Sequence, residues 1–501
     1  MEEPESLKII YTGKSIAKNT IYNLLGYGIP LVFAVILLPF LIKGLGDERF
    51  GILNLIWIII GYASFLDFGI GKSLTKIIAE KVSLNQAIQI PPIFWTSLFL
   101  MLSISVLSAI VLSFLIPSLV NIFNISKNVK QETINVCYIL AISIPIVSTT
   151  AGLRGVLEAY QKFAMINVMR VFLGIFTFLG PLLVLLFTNS LFWIVVFFIF
   201  IRIIIWILYL LQCFKVNKNI KEKIKLNFNS FKPVLKFSIW ITLGNIIGPI
   251  IIYSDRFLIG ALISAAAITY YATPYEVVTK LLLIPGALVG VLFPIFSGSF
   301  TNNPDVSKKI FLTGIKFIFL ILYPVVLLIV AFSYEGMELW LGVKFAVNSS
   351  VVLQYLSIGI LMNSVSMIPN NFFQGIGKPK IPMLINLAEL PLYIFLMWFS
   401  IKNNGIKGAA LVYMGMATLD AIAMYVFANR MFNAKFKSRS SAVSFLLMIV
   451  GLIITFFLSV VIIKAIFTSV LLLVFTTMAW KYFLTTEEKF FIVSKLKMKN
   501  K

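Results

Sequence analysis

The chain has 501 residues, 60% of them apolar and only 12% charged, with a mean hydropathy of +1.00, a composition that belongs to a chain dissolved mainly in lipid and excludes a soluble enzyme. Its net charge of +23 does not make it a nucleic-acid binder, because the basic residues are scattered between apolar runs too long for a duplex-binding stripe. Histidine is absent, and Cys137 and Cys213 both fall in apolar segments, so histidine catalysis, a disulfide framework, a zinc site and any other metal or cofactor are not expected.

Glu2, Glu3 and Glu5 precede the first apolar run, the reverse of a basic signal-peptide start, so that run is expected to stay in the mature protein. Spans are then predicted at about Thr20 to Ile42, Ile52 to Leu74, Ile93 to Ile116, Ile134 to Leu153, Phe163 to Phe187 and Leu191 to Phe214. A basic linker over 215–233 separates this lobe, 1–214, from a second lobe, 234–430. Its six spans run from Val234 to Leu262, Ala265 to Phe296, Ile310 to Phe332, Val351 to Phe373, Met383 to Ile401 and Ile406 to Val426. Residues 431–501 add two further spans, Val443 to Ile463 and Ile466 to Leu484, and a basic tail. The fold class expected is therefore all-α and polytopic, with about fourteen transmembrane helices in two pseudo-symmetric six-helix lobes plus two C-terminal helices.

Threading fourteen spans alternates the loops between two faces. Of the 42 Lys and Arg residues, only Lys43, Arg49, Lys127, Lys130, Lys344, Lys402, Lys407 and Lys464 fall on the face opposite the N-terminus, called here the far face. Arg202, Arg256, Lys280 and Lys316 lie within spans, and the remaining 30 share the N-terminal side, which the charge rule assigns to the cytoplasm together with both termini. The basic linker and tail lie on that face, where they would meet anionic lipid headgroups; a plain cytoplasmic linker is the alternative.

The two groups of six resemble each other. The segment IAKNTIYNLLG from Ile16 aligns with VLKFSIWITLG from Val234, and RGVLEAYQKF from Arg154 falls on NNFFQGIGKP from Asn370 at nearly the same displacement. Matched segments on the same face require a parallel repeat about an axis along the membrane normal, an arrangement found in alternating-access transporters.

Ionisable groups at bilayer depth cost at least ~2.5 kcal/mol unless paired or wetted, so each needs a reason. They are Asp67, Arg202, Asp255, Arg256, Glu276, Lys280, Glu389 and Asp420. Glu276 and Lys280 are spaced for a helical pair, roughly 16 to 24 Å inward from the far-face turn near Ser264. Asp255 and Arg256 sit a few turns from the far end of the seventh span. One reading has Arg256 and Lys280 binding an anionic headgroup while Asp255 and Glu276 balance charge or take a coupling cation. The other has two mutually neutralising pairs holding helices together. Asp67 lies in SFLDFGIGKSLTK, where Gly69 and Gly71 permit a kink whose carbonyls would help bind a cation; a solvated helix end is the alternative. Arg202 is expected to snorkel or to pair inside the first lobe. Prolines such as Pro30, Pro145, Pro274 and Pro369 inside spans suit helices that bend.

These residues carry a resemblance over nearly the whole chain. The opening KNTIYNLLGYGIPLVFAVILLPFLIKGLGDERFGILNL, the second-span LDFGIGKSLTK, the loop segments LRGVLEAYQKF and NNFFQGIGKPK, and the six-plus-six-plus-two layout resemble the Wzx-type oligosaccharide flippases, the polysaccharide-biosynthesis branch of the multidrug/oligosaccharidyl-lipid/polysaccharide exporter superfamily. The resemblance implies a two-lobed transporter moving an isoprenoid-diphosphate-linked oligosaccharide, such as an O-antigen repeat unit, across the cytoplasmic membrane against H⁺ or Na⁺. It also implies contact with other polysaccharide-assembly proteins. Arg256 and Lys280 would meet the diphosphate and sugars; no residue is expected to be catalytic. A cation-coupled drug exporter should have a more apolar, acidic interior, and Lys280 argues against it. A membrane glycan polymerase or transferase would need a large far-face loop bearing acids, whereas the longest here is about fifteen residues with few acids.

Overall fold

The computed structural model describes residues 13–63, 70–84, 86–160, 162–222, 253–289, 304–432 and 454–484, with isolated positions at 292, 296, 448, 450–452, 486 and 489. Asp67 and most of the basic linker and tail therefore lie outside the described residues. Nearly everything described is helical, and ten of its helices are long and apolar enough to cross a membrane; the total of fourteen remains an expectation of the sequence. The chain divides into two compact units, Met1–Thr269 and Tyr270–Lys501.

The first unit contains α1 (Gly13–Ala63), α2 (Ile70–Ser83), α3 (Ile90–Ile122), α4 (Lys127–Ala159), α5 (Phe163–Leu185) and α6 (Leu191–Val216), followed by α7 over 253–262. Gly46, at φ 74°, breaks α1 between the first two predicted spans, in a conformation that a Cβ disfavours. Long side chains such as Phe114 (82% exposed) and Phe187 (89%) point outward, as they should where the surrounding solvent is acyl chains. With no hydrophobic drive between helices in lipid, close packing carries the association. Hence Gly155 of α4 lies so near α2 that a Cβ would stand 2.9 Å from the Gly71 carbonyl oxygen.

The second unit opens within α8 (Ala265–Thr279) and continues through α9 (Pro304–Ala331), α10 (Ser333–Leu341), α11 (Val343–Gly375), α12 (Lys380–Met431) and α13 (Val461–Met478). Gly405, at φ 62°, divides α12 between the eleventh and twelfth predicted spans. Within the second unit, the described C-terminal residues pack on α9 and α10. Phe475 of α13 stacks on Tyr323 of α9 at 4.9 Å, the Tyr323 hydroxyl donates to the Met448 carbonyl at 2.9 Å, and Lys464 Nζ pairs with Glu335 Oε1 at 2.8 Å. Because Glu335 and Lys464 are predicted far-face residues, that ion pair joins segments the alternation assigns to one side.

Candidate functional site

The far ends of the first unit are clasped at backbone level. Thr269 Oγ1 donates to the Asp47 carbonyl at 2.6 Å. Asn124, between α3 and α4, donates through Nδ2 to the Ala261 carbonyl at 2.9 Å and through its backbone N–H to Gly260 at 3.1 Å. Glu48 accepts from the backbone and hydroxyl of Ser126 at 2.6 and 2.8 Å. Glu132 accepts from Arg49 at 3.1 Å, Ser190 at 2.9 Å and the Leu191 N–H at 2.7 Å. Gly51 explains the closeness: a Cβ there would fall 1.8 Å from the Ala265 carbonyl oxygen, a backbone atom that cannot swing aside. All these segments are predicted far-face loops or helix ends.

Just below this clasp, α7 buries Asp255 and Arg256 at 0% and 1% exposure. One carboxylate oxygen, Asp255 Oδ1, accepts the Arg256 backbone N–H at 2.7 Å and its guanidinium at 3.4 Å, and the guanidinium also stacks over the Tyr253 ring at 4.8 Å. Part of the desolvation of both charges is thus offset by a partner one residue away and, for the guanidinium, by a π-face.

Glu276 and Lys280 occur in the second unit, on α8, and form the predicted pair: Nζ to Oε2 is 3.2 Å, with side chains 40% and 43% exposed for Lys280 and Glu276. Counted from Ala265 they lie about 16 to 22 Å along the helix. The α-helix ends at Thr279, and Lys280 starts a 3₁₀ turn (Lys280–Leu282), an interruption within a long helix of the sort that marks a bending point. Pro274 and Pro285 flank it, each removing a backbone donor.

A third acidic arrangement was not assigned a role from the sequence. Asp420 of α12 accepts a hydrogen bond from Ser366 of α11 through Oδ2 at 2.5 Å, while its Oδ1 is buried with no hydrogen-bond partner. Glu389, on the other arm of α12, is near enough to interact with Asp420 electrostatically. Glu389 precedes Gly405 by about as many residues as Asp420 follows it, so both carboxyls stand at one depth, roughly 23 Å from the kink. Arg202 forms no ion pair among the described residues and lines a small pocket with Trp57, Thr177 and Phe198. On the N-terminal side, outside the spans, Tyr160 accepts a hydrogen bond from Asn217 at 3.1 Å, and partial burial raises its phenol above the ordinary value.

Ten helices long and apolar enough to cross a membrane, with ion pairs on α7 and α8, define a multi-pass membrane protein. Residues 16–300 match the family model "Polysaccharide biosynthesis protein", and residues 301–399 match MatE. A "Putative O-antigen transporter" of Shigella flexneri is 31% identical over 424 residues, covering 83% of this chain and 98% of that protein. The chain therefore belongs to the polysaccharide biosynthesis protein family. Its fold is that of solved transporters. An inward-facing MATE multidrug transporter of the MOP superfamily superposes with a TM-score of 0.71 at 14% identity, covering 84% of this chain and 96% of that one. The lipid II flippase MurJ, in an inward closed conformation, gives 0.67 at 14% identity, covering 93% and 99%.

Proposed function

We propose that this protein is a flippase that carries an isoprenoid-diphosphate-linked oligosaccharide, an O-antigen or related polysaccharide repeat unit, across the cytoplasmic membrane by alternating access. The observation that carries the reading is the half-exposed Lys280 at a helix interruption at bilayer depth, a cation presented where an anionic headgroup would have to pass. Membership of the polysaccharide biosynthesis family and the relative's name support the substrate class.

In this mechanism Lys280 meets the diphosphate first, as a point charge whose pairing with Glu276 is weak enough to exchange. Arg256 offers a forked donor to an anionic headgroup once motion of the far-face clasp uncovers it. Asp67, Asp255 and Glu276 balance these charges and take the coupling cation, H⁺ or Na⁺, so that the gradient resets the carrier. The two six-helix repeats, 1–214 and 234–430, are the moving halves, joined by the linker 215–233, with 431–501 carrying the added pair and tail. Both termini face the cytoplasm, and the protein carries substrate without chemically altering it.

The test is leaflet-specific measurement of the glycolipid in proteoliposomes, with and without ion gradients. Lys280→Ala should slow translocation about tenfold or more in protein that still folds, and Arg256→Lys, which keeps a cation beside Asp255 but loses the fork, should slow it as well; full activity in both would remove the site assignment. Rapid movement of unrelated cationic dyes with no movement of glycolipid would favour a drug exporter of the same fold.

A further inference from the structure

The segment leading into α13, on the predicted far face, is apolar where a water-facing turn should be polar. Leu458 to Ile463 reads LSVVII, and Val460, Val461, Ile462 and Ile463 are each at least 50% exposed. Four adjacent apolar side chains left open at the end of a membrane helix place that end at the boundary between headgroups and acyl chains, not out in water. The next residue, Lys464, turns the other way: it is buried, and its Nζ meets Glu335 Oε1 of α10 at 2.8 Å.

That ion pair fixes the height of α10. Ser333 and Met337 bury one face of this nine-residue helix within the second unit. Glu335 and Leu339 follow those two by two residues each, which at about 100° per residue puts them together on the opposite side, one turn apart. Glu335 is held by α13, so Leu339 is directed toward the side where Val460 to Ile463 lie open, and it is itself 92% exposed. Tyr334 and Trp340, half-buried on the same helix, are the amphipathic aromatics favoured at a membrane interface. A single leucine on a water-facing surface would need no explanation. Here it extends a patch that α13 already sets against lipid, so lipid is the occupant with which the patch is continuous.

We propose that α10 is an interfacial helix, lying in the far-face leaflet with Leu339 inserted at the boundary of headgroups and acyl chains and held at that depth by the Glu335–Lys464 pair. Glu338, exposed and about 100° round the helix from Leu339, faces the headgroups and water. The far-face connection between the ninth and tenth predicted spans is thus a membrane-surface element, and it sets how deeply the second unit sits in that leaflet. The inference needs only that the chain crosses a bilayer and is independent of the roles given to Lys280 and Arg256.

The test is the accessibility of a nitroxide label at Leu339→Cys in full-length protein, with Cys137 and Cys213 replaced by alanine, reconstituted in nanodiscs of phosphatidylethanolamine and phosphatidylglycerol. Oxygen partitions into acyl chains, whereas a neutral nickel chelate stays in water. The Leu339→Cys label should collide with oxygen about threefold or more over the nickel chelate, and a Glu338→Cys label should show the reverse order. Adding Glu335→Gln, which cuts the tether to α13, should lower the Leu339→Cys ratio about twofold or more. A Leu339→Cys label that prefers the nickel chelate would overturn the proposal. So would one shielded from both reagents, the mark of a covering protein or a second copy of the chain. A ratio unchanged by Glu335→Gln would overturn the part given to the ion pair.

Discussion

Two ion pairs that look alike in the sequence end in opposite environments. Asp255–Arg256 is shut away at 0% and 1% exposure, whereas Glu276–Lys280 is exposed by about two fifths on each side. In both, the acid precedes the base on one helix at bilayer depth. The difference lies in what each helix segment packs against. Near α7 the turns around Gly46–Gly51, Asn124 and Ala265 close over the chain at backbone distance. On α8, Lys280 begins a 3₁₀ turn with its side chain about two fifths exposed. A buried pair is expensive to break and so holds structure, while an exposed one is cheap to exchange and so is available to a ligand.

The largest expected effect breaks the buried member. Asp255→Asn leaves a guanidinium without its carboxylate, which should cost about 3–5 kcal/mol and show as a loss of folded protein or a steep fall in melting temperature. A melting temperature unchanged by Asp255→Asn would mean that the carboxylate is not what holds Arg256. Next, Gly51→Val should pry the far-face clasp apart, because its Cβ would meet the Ala265 carbonyl oxygen. Disulfide trapping between cysteines placed at Asp47 and Thr269, with the two natural cysteines replaced, should be efficient in the parent and drop severalfold in the Gly51→Val background. Equal trapping would show that the closeness is not needed. Ser366→Ala removes the donor to the Asp420 carboxylate and should cost about 1.5–3 kcal/mol if that group is ionised; thermal unfolding measures it, with Ser366→Thr as the variant that restores the hydroxyl. The smallest stability effect belongs to Lys280→Ala, under about 1 kcal/mol for an exposed pair, and the comparison is sharpest if that variant is the one that impairs transport.

What was legible in the sequence follows the range of the interaction. The helical class and the gaps between spans in which Gly46 and Gly405 fall could be read because hydropathy is local. The Glu276–Lys280 pair could be read because four residues make one helical turn. Asp420 and Ser366 could not be joined beforehand, being 54 residues apart on different helices. Arg202 was expected to snorkel or find a partner; among the described residues it forms no ion pair. The bond between Arg256 and its own neighbour Asp255 was also hidden, since adjacent residues on a helix point in different directions and only the bend of the side chains brings them together. Asp67 lies outside the described residues, and its part in coupling rests on the sequence alone.

The measurement that bears most directly on the account is glycolipid movement between leaflets in proteoliposomes under an imposed proton or sodium gradient. The natural protein should move isoprenoid-diphosphate-linked oligosaccharide to the opposite leaflet, stop when the gradient is collapsed, and lose about tenfold or more of the rate in Lys280→Ala at unchanged melting temperature. A folded, reconstituted protein that leaves the glycolipid where it was, under either gradient, would contradict it.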